Sequence, residues 1–398
     1  MDGNSILFIT THNLASNPRL VKEIRLAVEQ GWDIEVICFH FDNWSAEANQ
    51  HLLDEFSQVK FHVIPAGKRP VLPWLRSVAA EQCYRLWFSI TKKISSRSLA
   101  YAVSRRSILL EKKLKEVSKP DWVIGHNPGA LWPVYKAKQQ FNCKAGFDVE
   151  DYHQGEGNRQ SLQYMAKKLL GDLLQKMDYA SFAAPLFREA NMNDLGADGR
   201  NWETILNYFP SQEFPAPSKV NGPLKLVWFS QHVNPGRGLD YILPAIKKMG
   251  NKVELHLIGN MNKNFYEAEM SGHKNIIVHG AMPHKQLHEQ LKHFDIGLAL
   301  ENASDLNREY CITNKLICYL QAGLYVLASK TRGQEQFIGK FSNHGIIFNN
   351  SEKAFEEALE NALNNTESIR LGNLSRYNNF QEHNWERESQ KLLQFWNS

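Results

Sequence analysis

Short apolar runs rich in β-branched and aromatic residues alternate along the chain with longer segments whose apolar positions recur at helical spacing. That alternation is typical of β-α-β units, in which helices cover a parallel sheet. In the first half of the chain the pattern predicts five strands and, among others, two helices. The strands are Ile6–Thr10, Ile34–Phe39, Val59–Ile64, Trp122–Gly125 and Lys144–Asp148, and the helices are Pro18–Gln30 and Gly129–Gln140.

A second series of six strands follows in the C-terminal half: Lys225–Phe229, Val253–Ile258, Ile276–His279, Asp295–Leu300, Tyr325–Ala328 and Gly345–Phe348. Between the two series, four prolines within 208–223 exclude a continuous helix or central strand and predict a linker. We therefore expect an α/β protein of two Rossmann-like domains that face each other across a central cleft. The predicted bounds are 1–207 for the first domain, 208–223 for the linker, 224–375 for the second domain, and 376–398 for a C-terminal helix that packs back on the first.

The composition changes this picture little. Of 398 residues, 46 are Lys or Arg and 42 are Asp or Glu, so the formal net charge of +4 is too small to indicate a nucleic-acid-binding protein. The five cysteines form no C-x-x-C pair, which argues against a disulfide framework or a structural zinc site and favours the cytoplasm. The sequence begins without a signal-peptide pattern, and no window is apolar enough for a membrane-spanning helix.

One segment, about 67–117, departs from the β-α rhythm because it is strongly basic. Residues 67–115 contain twelve Lys and Arg but only two Glu, with Trp74, Trp87 and Phe88 interleaved. Such a composition suits helices that lie on an anionic membrane surface. The alternative is a solvated helical insertion whose apolar face packs on its own domain, and nucleic acid is the least favoured partner.

The loop after the first strand contains neither a Walker motif nor G-x-G-x-x-G, which weakens kinase and dinucleotide-oxidoreductase interpretations. Instead Ser16 and Asn17 precede a helix that starts at Pro18, with Arg19 in its first turn. These residues either cap the helix or bind an acceptor molecule at the cleft.

The C-terminal half carries a series of motifs that resemble the family 4 type glycosyltransferases of the GT-B fold, also called group 1. They are Val227-Trp228-Phe229-Ser230, Pro235-Gly236-Arg237-Gly238-Leu239-Asp240, Leu257-Ile258-Gly259, His279-Gly280-Ala281-Met282-Pro283, Phe294-Asp295-Ile296-Gly297-Leu298, Asn314-Lys315-Leu316 and Tyr319-Leu320-Gln321-Ala322-Gly323-Leu324. The resemblance covers about 224–330 well and 1–210 more loosely.

The resemblance implies a nucleotide-sugar site in the second domain. Arg237 stands where the family usually has a Lys before Gly, and we expect it to bind the donor diphosphate. Gly238 and Gly259 are further residues that the resemblance assigns to the donor site. Lys315 is the second candidate for the diphosphate, although Asn314 and Lys315 could equally cap the following helix. No metal and no cofactor are expected, because the cations and helix N-termini would stabilise the leaving diphosphate.

The acidic pair of the family is displaced in this chain. The later Glu of the usual E-x7-E motif would hold the nucleotide ribose, but Cys318 occupies its position. Glu301 and Glu309 have the spacing but lie about nine residues earlier. Either Glu309 has taken over a ribose or sugar contact, or both acids are solvated loop residues.

In the first domain, Phe147-Asp148-Val149-Glu150-Asp151-Tyr152-His153 resembles a segment that often reads Asp-x-His in these enzymes, with Glu150 in place of that His. Glu150, Asp151 or His153 could therefore orient or deprotonate the acceptor hydroxyl. His126, at the end of another strand, is the rival candidate, and capping or hydrogen bonding within the loops is the alternative for each.

With the basic segment, the resemblance implies a retaining hexosyltransferase on the inner face of the plasma membrane, acting in lipopolysaccharide or capsule biosynthesis. It would move a sugar from a nucleotide diphosphate to a hydroxyl of a surface glycan or lipid-linked saccharide. The alternatives are a GT-B sugar-nucleotide epimerase and a non-catalytic GT-B binding protein.

Overall fold

The computed structural model describes residues 4–68, 71–341 and 343–398. The chain divides into two compact units. The first comprises the residues up to Ile205 together with Lys391–Ser398, and the second comprises Leu206–Gln390. The proline-rich segment 208–223 thus belongs to the second unit, and the last eight residues of the chain belong to the first.

The first unit is built on a seven-stranded sheet in which every described pairing is parallel, in the order β3-β2-β1-β4-β5-β6-β7. The five predicted strands are all present, and two short ones that the sequence analysis missed extend the sheet. The strands are β1 Ser5–Thr10, β2 Asp33–His40, β3 Lys60–Pro65, β4 Trp122–His126, β5 Lys144–Val149, β6 Tyr179–Phe182 and β7 Trp202–Thr204.

The helix that follows the first strand begins where the sequence supplies a cap. α1 starts at Pro18 because the Asn17 side chain accepts from the Leu20 amide at 3.1 Å and proline is favourable at the first helical position. The helices are α1 Pro18–Glu29, α2 Ala46–Glu55, α3 Val71–Thr91, α4 Ser96–Val103, α5 Arg106–Lys113, α6 Leu131–Phe141, α7 Gln160–Leu173 and α8 Pro185–Leu195.

The second unit has a six-stranded sheet of order β10-β9-β8-β11-β12-β13, again with parallel pairing throughout, and its six strands are the six that were predicted. They enclose a core with Trp228 and Phe355 among its fully buried side chains. The strands are β8 Leu224–Val233, β9 Val253–Met261, β10 Ile276–His279, β11 Ile296–Ala299, β12 Tyr325–Ser329 and β13 Gly345–Phe348.

Helices cover both sheets of the chain, as the alternating pattern predicts. Those that follow β8 are α9 Leu239–Met249, α10 Lys263–Glu269, α11 His284–Leu291, α12 Leu306–Tyr310, α13 Asn314–Gln321, α14 Arg332–Ile338, α15 Glu352–Asn364, α16 Thr366–Leu371, α17 Asn373–Phe380, α18 Trp385–Glu388 and α19 Gln390–Trp396. The end of α19 packs in the first unit, where the Trp122 indole donates to the Trp396 carbonyl at 3.0 Å.

The basic segment 67–115 forms α3, α4 and α5, except that Arg69 lies outside the described residues. Several of its side chains face inward rather than outward. Phe88 is buried, so the expectation that its ring lies on the surface is wrong, whereas Trp87 is exposed. Arg106 also faces inward and donates to the Thr11 carbonyl at 2.7 Å. Within the described part of the chain, no helix combines the length and apolar character needed to cross a membrane.

Candidate functional site

The second unit has a polar pocket of about 180 Å³ beside the carboxyl ends of β8 and β11. These two strands are neighbours at the point where the strand order reverses, the usual ligand position in an open parallel sheet. We call it the donor pocket; its lining residues are Trp228, Gly236, Arg237, Leu300, Glu301, Asn302, Arg308 and Lys315.

A glycine turn places Arg237 at the rim of the donor pocket. Gly238 has a φ of +83°, and a Cβ there would lie 2.8 Å from Leu300 Cβ, so only glycine fits this turn without strain. The loop is held from both sides. The Gly236 amide donates to Asp240 at 2.7 Å, and the Asn302 side chain donates to the Gly236 carbonyl at 3.0 Å.

Lys315 and Glu301 meet inside the pocket. The Lys315 ammonium lies 3.1 Å from the Glu301 carboxylate and 5.9 Å from the centre of the Trp228 ring. The Glu301 backbone is fixed as well, since its amide donates to the Ser329 hydroxyl at 2.6 Å. α13 starts just before Lys315, where Thr313 accepts from the Leu316 amide and caps the helix.

The charged side chains that line the donor pocket have a net positive charge. Arg237, Arg308 and Lys315 line it with Glu301 as the one carboxylate, and neither arginine has an ion-pair partner among the described residues. The Trp228 indole N–H is buried without a hydrogen-bond acceptor in the described structure. A buried donor left unpaired is costly in free energy, so this N–H is a candidate partner for a ligand oxygen.

The remaining predicted residues of the second unit do not line the pocket. Gly259 has a φ of +144° and allows close approach of β9 to β8, because a Cβ there would lie 2.0 Å from the Ser230 carbonyl oxygen. Asn314 is exposed and accepts from Asn207 at 2.8 Å. Glu309 accepts from the Arg332 amide at 3.1 Å and so supports the start of α14.

Cys318, which replaces the Glu expected from the family motif, is buried. Its sulfur lies 3.3 Å from His288 Nε2, and His288 Nδ1 lies 2.7 Å from the Glu213 carboxylate. The position is therefore filled by an internal contact, and Cys318 does not line the donor pocket.

The first unit has a second, larger pocket of about 550 Å³ at the carboxyl ends of β1, β4 and β5. We call it the acceptor pocket. It is lined mainly by polar residues that include Thr11, His12, Ser104, Arg106, Asn127, Asp151, His153, Glu156, Arg159 and Gln163.

Asn127 connects the strand ends beneath the acceptor pocket. Its side-chain oxygen accepts from Thr10 at 2.9 Å and lies 2.7 Å from His12 Nδ1, while its amide nitrogen donates to Glu150 at 3.3 Å. Asn127 has a φ of +69°, a conformation that asparagine tolerates better than most residues. The contact through Nδ1 leaves His12 Nε2 available to a ligand in the pocket.

His153 is the predicted residue that faces the acceptor pocket with an unused nitrogen. Its Nδ1 lies 3.1 Å from Glu156, its side chain is 9% exposed, and its Nε2 has no partner in the described structure. Burial alone would lower the pKa of His153, but the hydrogen bond with Glu156 and the nearby carboxylates raise it. A protonated ring would present Nε2 as a donor to an acceptor oxygen.

His126 is fully buried and faces inward. Its Nδ1 lies 2.8 Å from Glu150 and its Nε2 lies 3.2 Å from Glu23. Burial alone would lower the pKa of His126, but Glu23 and Glu150 raise it to about 10. An imidazolium donates through both nitrogens, which matches two carboxylate partners. His126 therefore fixes Glu150, whose side chain is 15% exposed, and does not line the pocket.

Arg19 belongs to the same buried network. Its guanidinium donates to the two Asp148 oxygens at 2.6 and 2.7 Å and to the Ile205 carbonyl at 2.9 Å. Burial would raise the pKa of Asp148, but the pairing with Arg19 lowers it. Arg19 thus fulfils a structural role where an acceptor contact was predicted.

Ser16 and Asn17 also act within the protein. Ser16 donates to the Asn13 side chain at 2.6 Å, and Asn17 caps α1, which is the capping alternative considered from the sequence.

The network also contains the one cluster of potential metal ligands found among the described residues, formed by Glu23, His126 and Asp148. Both His126 nitrogens are already hydrogen-bonded, and Arg19 binds Asp148 through two nitrogens. The positive charge that offsets the Glu23 and Asp148 carboxylates is thus supplied by the His126 and Arg19 side chains.

Sequence reasoning missed Glu23, Arg308 and the Trp228 indole as site groups. Glu23 lies mid-helix in α1, where nothing in the local pattern distinguishes it from a solvated acid. The unpartnered Trp228 N–H depends on tertiary packing. The loop containing His12 and Thr11 was noticed, but its ligand-facing groups were not identified.

Comparisons with known proteins agree with this fold. Residues 223–365 match the family model of glycosyl transferases group 1. HepE of Anabaena, in complex with UDP and glucose, is 12% identical with a TM-score of 0.69 and covers 99% of each chain. Sucrose-phosphate synthase of Thermosynechococcus elongatus is 13% identical with a TM-score of 0.66, over 99% of this chain and 98% of that chain. No curated protein sequence matches significantly.

A third structure of the same fold is the lipopolysaccharide outer core galactosyltransferase WaaB, at 13% identity and a TM-score of 0.61 over 98% of each chain. At these identities the structures establish the fold, and the family model identifies the domain. The resemblance read from the motifs is confirmed: residues 223–365 match the group 1 glycosyltransferases, and the fold of the chain is that of the GT-B glycosyltransferase structures.

Proposed function

We propose that this glycosyltransferase binds a nucleotide diphosphate sugar in the donor pocket and transfers a hexosyl group, with retention, to a hydroxyl of a surface glycan or lipid-linked saccharide. The observation that carries the proposal is the set of three cations that line this pocket together with Trp228, whose buried N–H has no acceptor in the described structure. Three cations and one carboxylate leave an excess of about two positive charges, which complements a diphosphate.

The same cations would act on the reaction itself. As the bond from sugar to diphosphate breaks, negative charge grows on the leaving phosphate. Fixed cations stabilise that charge most in the transition state. Arg237 at the rim can bind phosphate oxygens with its guanidinium fork, and Lys315, held by Glu301, supplies a point charge beside Trp228.

The acceptor would bind in the acceptor pocket of the first unit. His153 Nε2 and His12 Nε2 are the groups that we expect to contact its hydroxyls, with Asp151 also lining the pocket. Glu150 is held from below by His126 and Asn127. The named activity of WaaB, which shares the fold, supports a saccharide of the cell surface as the acceptor class. Such an acceptor would place the enzyme on the cytoplasmic face of the membrane.

Metal independence is part of the proposal. The one carboxylate that lines the donor pocket, Glu301, is paired with Lys315. The pocket therefore offers cations where a metal-dependent site would offer several oxygen ligands.

The experiment is an assay of the purified enzyme with a panel of nucleotide sugars and with deacylated lipopolysaccharide or capsule oligosaccharides as acceptors. We expect release of a nucleoside diphosphate together with an acceptor enlarged by one hexose in the donor's anomeric configuration, unchanged by EDTA. Interconversion of sugar nucleotides without an acceptor would indicate an epimerase instead. Binding without turnover across the panel would indicate a non-catalytic protein.

A further inference from the structure

Helix α3 presents an apolar surface to solvent. Of the twelve large hydrophobic residues that are exposed in the described chain, six lie on this one helix. They are Val71, Leu72, Leu75, Leu86, Trp87 and Ile90, with exposures from 48% to 73%. Single exposed apolar residues are ordinary, but a contiguous set on one element indicates a binding surface.

The helical period arranges these residues as one stripe. At 100° per residue, positions 72, 75, 86, 87 and 90 fall within about a third of the helix circumference, and exposed Ala79 and Cys83 fill the middle. The stripe from Leu72 to Ile90 is about 27 Å long at 1.5 Å per residue. We call these residues the outer stripe.

The packed side of α3 is polar in part, which reverses the usual arrangement of a surface helix. Glu81 and Arg85 form an ion pair at 2.9 Å on that side, and Arg85 also donates to the Ala102 carbonyl at 2.8 Å. Ser77 and Phe88 are buried there. Glu81 and Arg85 are thus directed to the protein while the leucines of α3 face outward.

Cations without carboxylate partners accompany the outer stripe. Arg76 lies on it, Lys68 precedes it, and Lys92 and Lys93 follow it; none of these four forms an ion pair among the described residues. The two acids of the segment, Glu81 and Glu111, are engaged by Arg85 and Arg97. The surface therefore combines apolar side chains with uncompensated positive charge.

We propose that the outer stripe is a membrane-docking surface that lies in the headgroup region of an anionic lipid leaflet, with its leucines and Trp87 entering the acyl boundary. Apolar side chains with flanking bases are the chemistry that such a surface recognises. A second copy of the chain fits less well, because pairing two stripes would bring these cations together with no acid on the stripe to offset them.

The inference rests on the proposed function, because it extends the proposed action at a membrane face. Its test uses no sugar donor, so a failure of the docking inference can be distinguished from a failure of the proposed transferase activity. Full-length protein is floated with vesicles of phosphatidylcholine alone or with 40% phosphatidylglycerol. The variant L75Q/L86Q/I90Q removes three exposed apolar side chains and keeps good helix formers. Its control is L371Q/L374Q, which changes two leucines of the second unit that are 77% and 56% exposed.

We expect flotation with the anionic vesicles only, at least a tenfold weaker partition for the α3 variant, and no change for the control. Neutralising Lys92 and Lys93 to Gln should weaken binding and reduce its salt dependence, whereas the same change at exposed Lys263 and Lys285 should not. Equal flotation of the α3 variant would overturn the proposal. The proposal would also be overturned if the wild-type protein did not float but formed a concentration-dependent dimer that the α3 variant did not form.

Cys83 allows a direct measurement because it is the one exposed cysteine of the five and lies on the stripe. With the half-buried Cys143 and Cys311 changed to Ser, an environment-sensitive fluorophore on Cys83 should shift to the blue when anionic vesicles are added. An unchanged spectrum under conditions where the protein floats would place the contact elsewhere and contradict the proposal.

Discussion

Both units carry a polar pocket at the carboxyl ends of parallel strands, and the two pockets differ in how their charged side chains are partnered. Beneath the acceptor pocket, Arg19, Glu23, His126 and Asp148 are buried and bond to one another. In the donor pocket, Arg237 is exposed on a glycine loop without an ion-pair partner among the described residues.

The comparison separates two uses of arginine that the sequence does not distinguish. Arg19 and Arg237 both lie in the segment that leads from a central strand into a helix. Arg19 neutralises Asp148 inside the protein, so its charge stabilises the fold. The charge of Arg237 is not compensated and is available to a ligand. Loss of Arg19 should therefore lower the stability of the fold, and loss of Arg237 should lower catalytic activity.

The largest expected effect is on folding. Replacing Arg19 by Met leaves Asp148 buried without its cation, which should lower the free energy of unfolding by about 3–5 kcal/mol. Urea denaturation followed by circular dichroism measures it. A loss below 1 kcal/mol would mean that Asp148 is not held by Arg19 and would remove the contrast between the pockets.

Replacing Arg237 by Ala should leave the fold intact and lower donor turnover by about 10²-fold or more, because a charge-assisted contact to the leaving diphosphate is lost. We expect Lys315→Ala to act in the same direction. Arg387→Ala is the matched control, since Arg387 is an exposed arginine of the same unit paired with Glu382. Wild-type kcat/KM in Arg237→Ala would refute the diphosphate assignment.

The buried network also predicts a pH dependence. The pKa of His126 is raised to about 10 in the folded chain, above the ordinary value of 6.5. Its charge therefore contributes fully to stability below about pH 6.5, and the contribution disappears as the pH rises to 10, on the order of 1 kcal/mol per pH unit. Glu23, Glu150 and Asp148 are the charged groups that lie beside it.

In urea unfolding, the stability gap between wild type and His126→Gln should narrow from pH 6.5 to pH 9.5. A gap that stays constant across this range would show that His126 is neutral in the folded protein.

His153 tests the acceptor pocket with a smaller effect. His153→Gln should reduce transfer to the acceptor about tenfold, since one hydrogen bond to a ligand is lost, while donor binding stays unchanged. His51→Gln, at an exposed position of the same unit, is the control. If donor affinity falls together with transfer, His153 does not belong to the acceptor side.

The smallest effects distinguish the two glutamates that the motif spacing suggested. Glu301→Gln removes the partner of Lys315 and should change the donor KM two- to fivefold. Glu309→Gln should leave the KM unchanged and lower stability by about 0.5–1 kcal/mol, because it weakens the start of α14. A donor KM that responds to Glu309 and not to Glu301 would reverse this assignment.

The sequence predicted most of the architecture because its strands are apolar runs between turn residues. All six strands of the second unit were found, whereas β6 and β7 were missed. The three residues of β7 are too short to show a period, but β6 has four residues, the same length as strands that were found in the second unit. Arg237, Lys315 and Glu301 were singled out, and the structure brings them into one pocket.

Other features depend on tertiary contacts that no local pattern reveals. The unpartnered Trp228 N–H is one, and the outward orientation of α3 is another, since that helix has apolar residues on both sides. The inward orientation of Arg106 likewise follows from its contact with Thr11.

The central claim is that the donor pocket holds a nucleotide diphosphate sugar against Trp228. The most direct test is the indole region of a ¹H–¹⁵N spectrum, with the Trp228 signal assigned from Trp228→Phe, during titration with UDP, GDP and dTDP sugars. We predict that one nucleotide sugar saturably shifts the Trp228 N–H to lower field, as a new hydrogen bond requires, and that Arg237→Ala weakens the titration at least tenfold. The account would be contradicted if a nucleotide sugar bound to saturation and the Trp228 N–H signal did not shift.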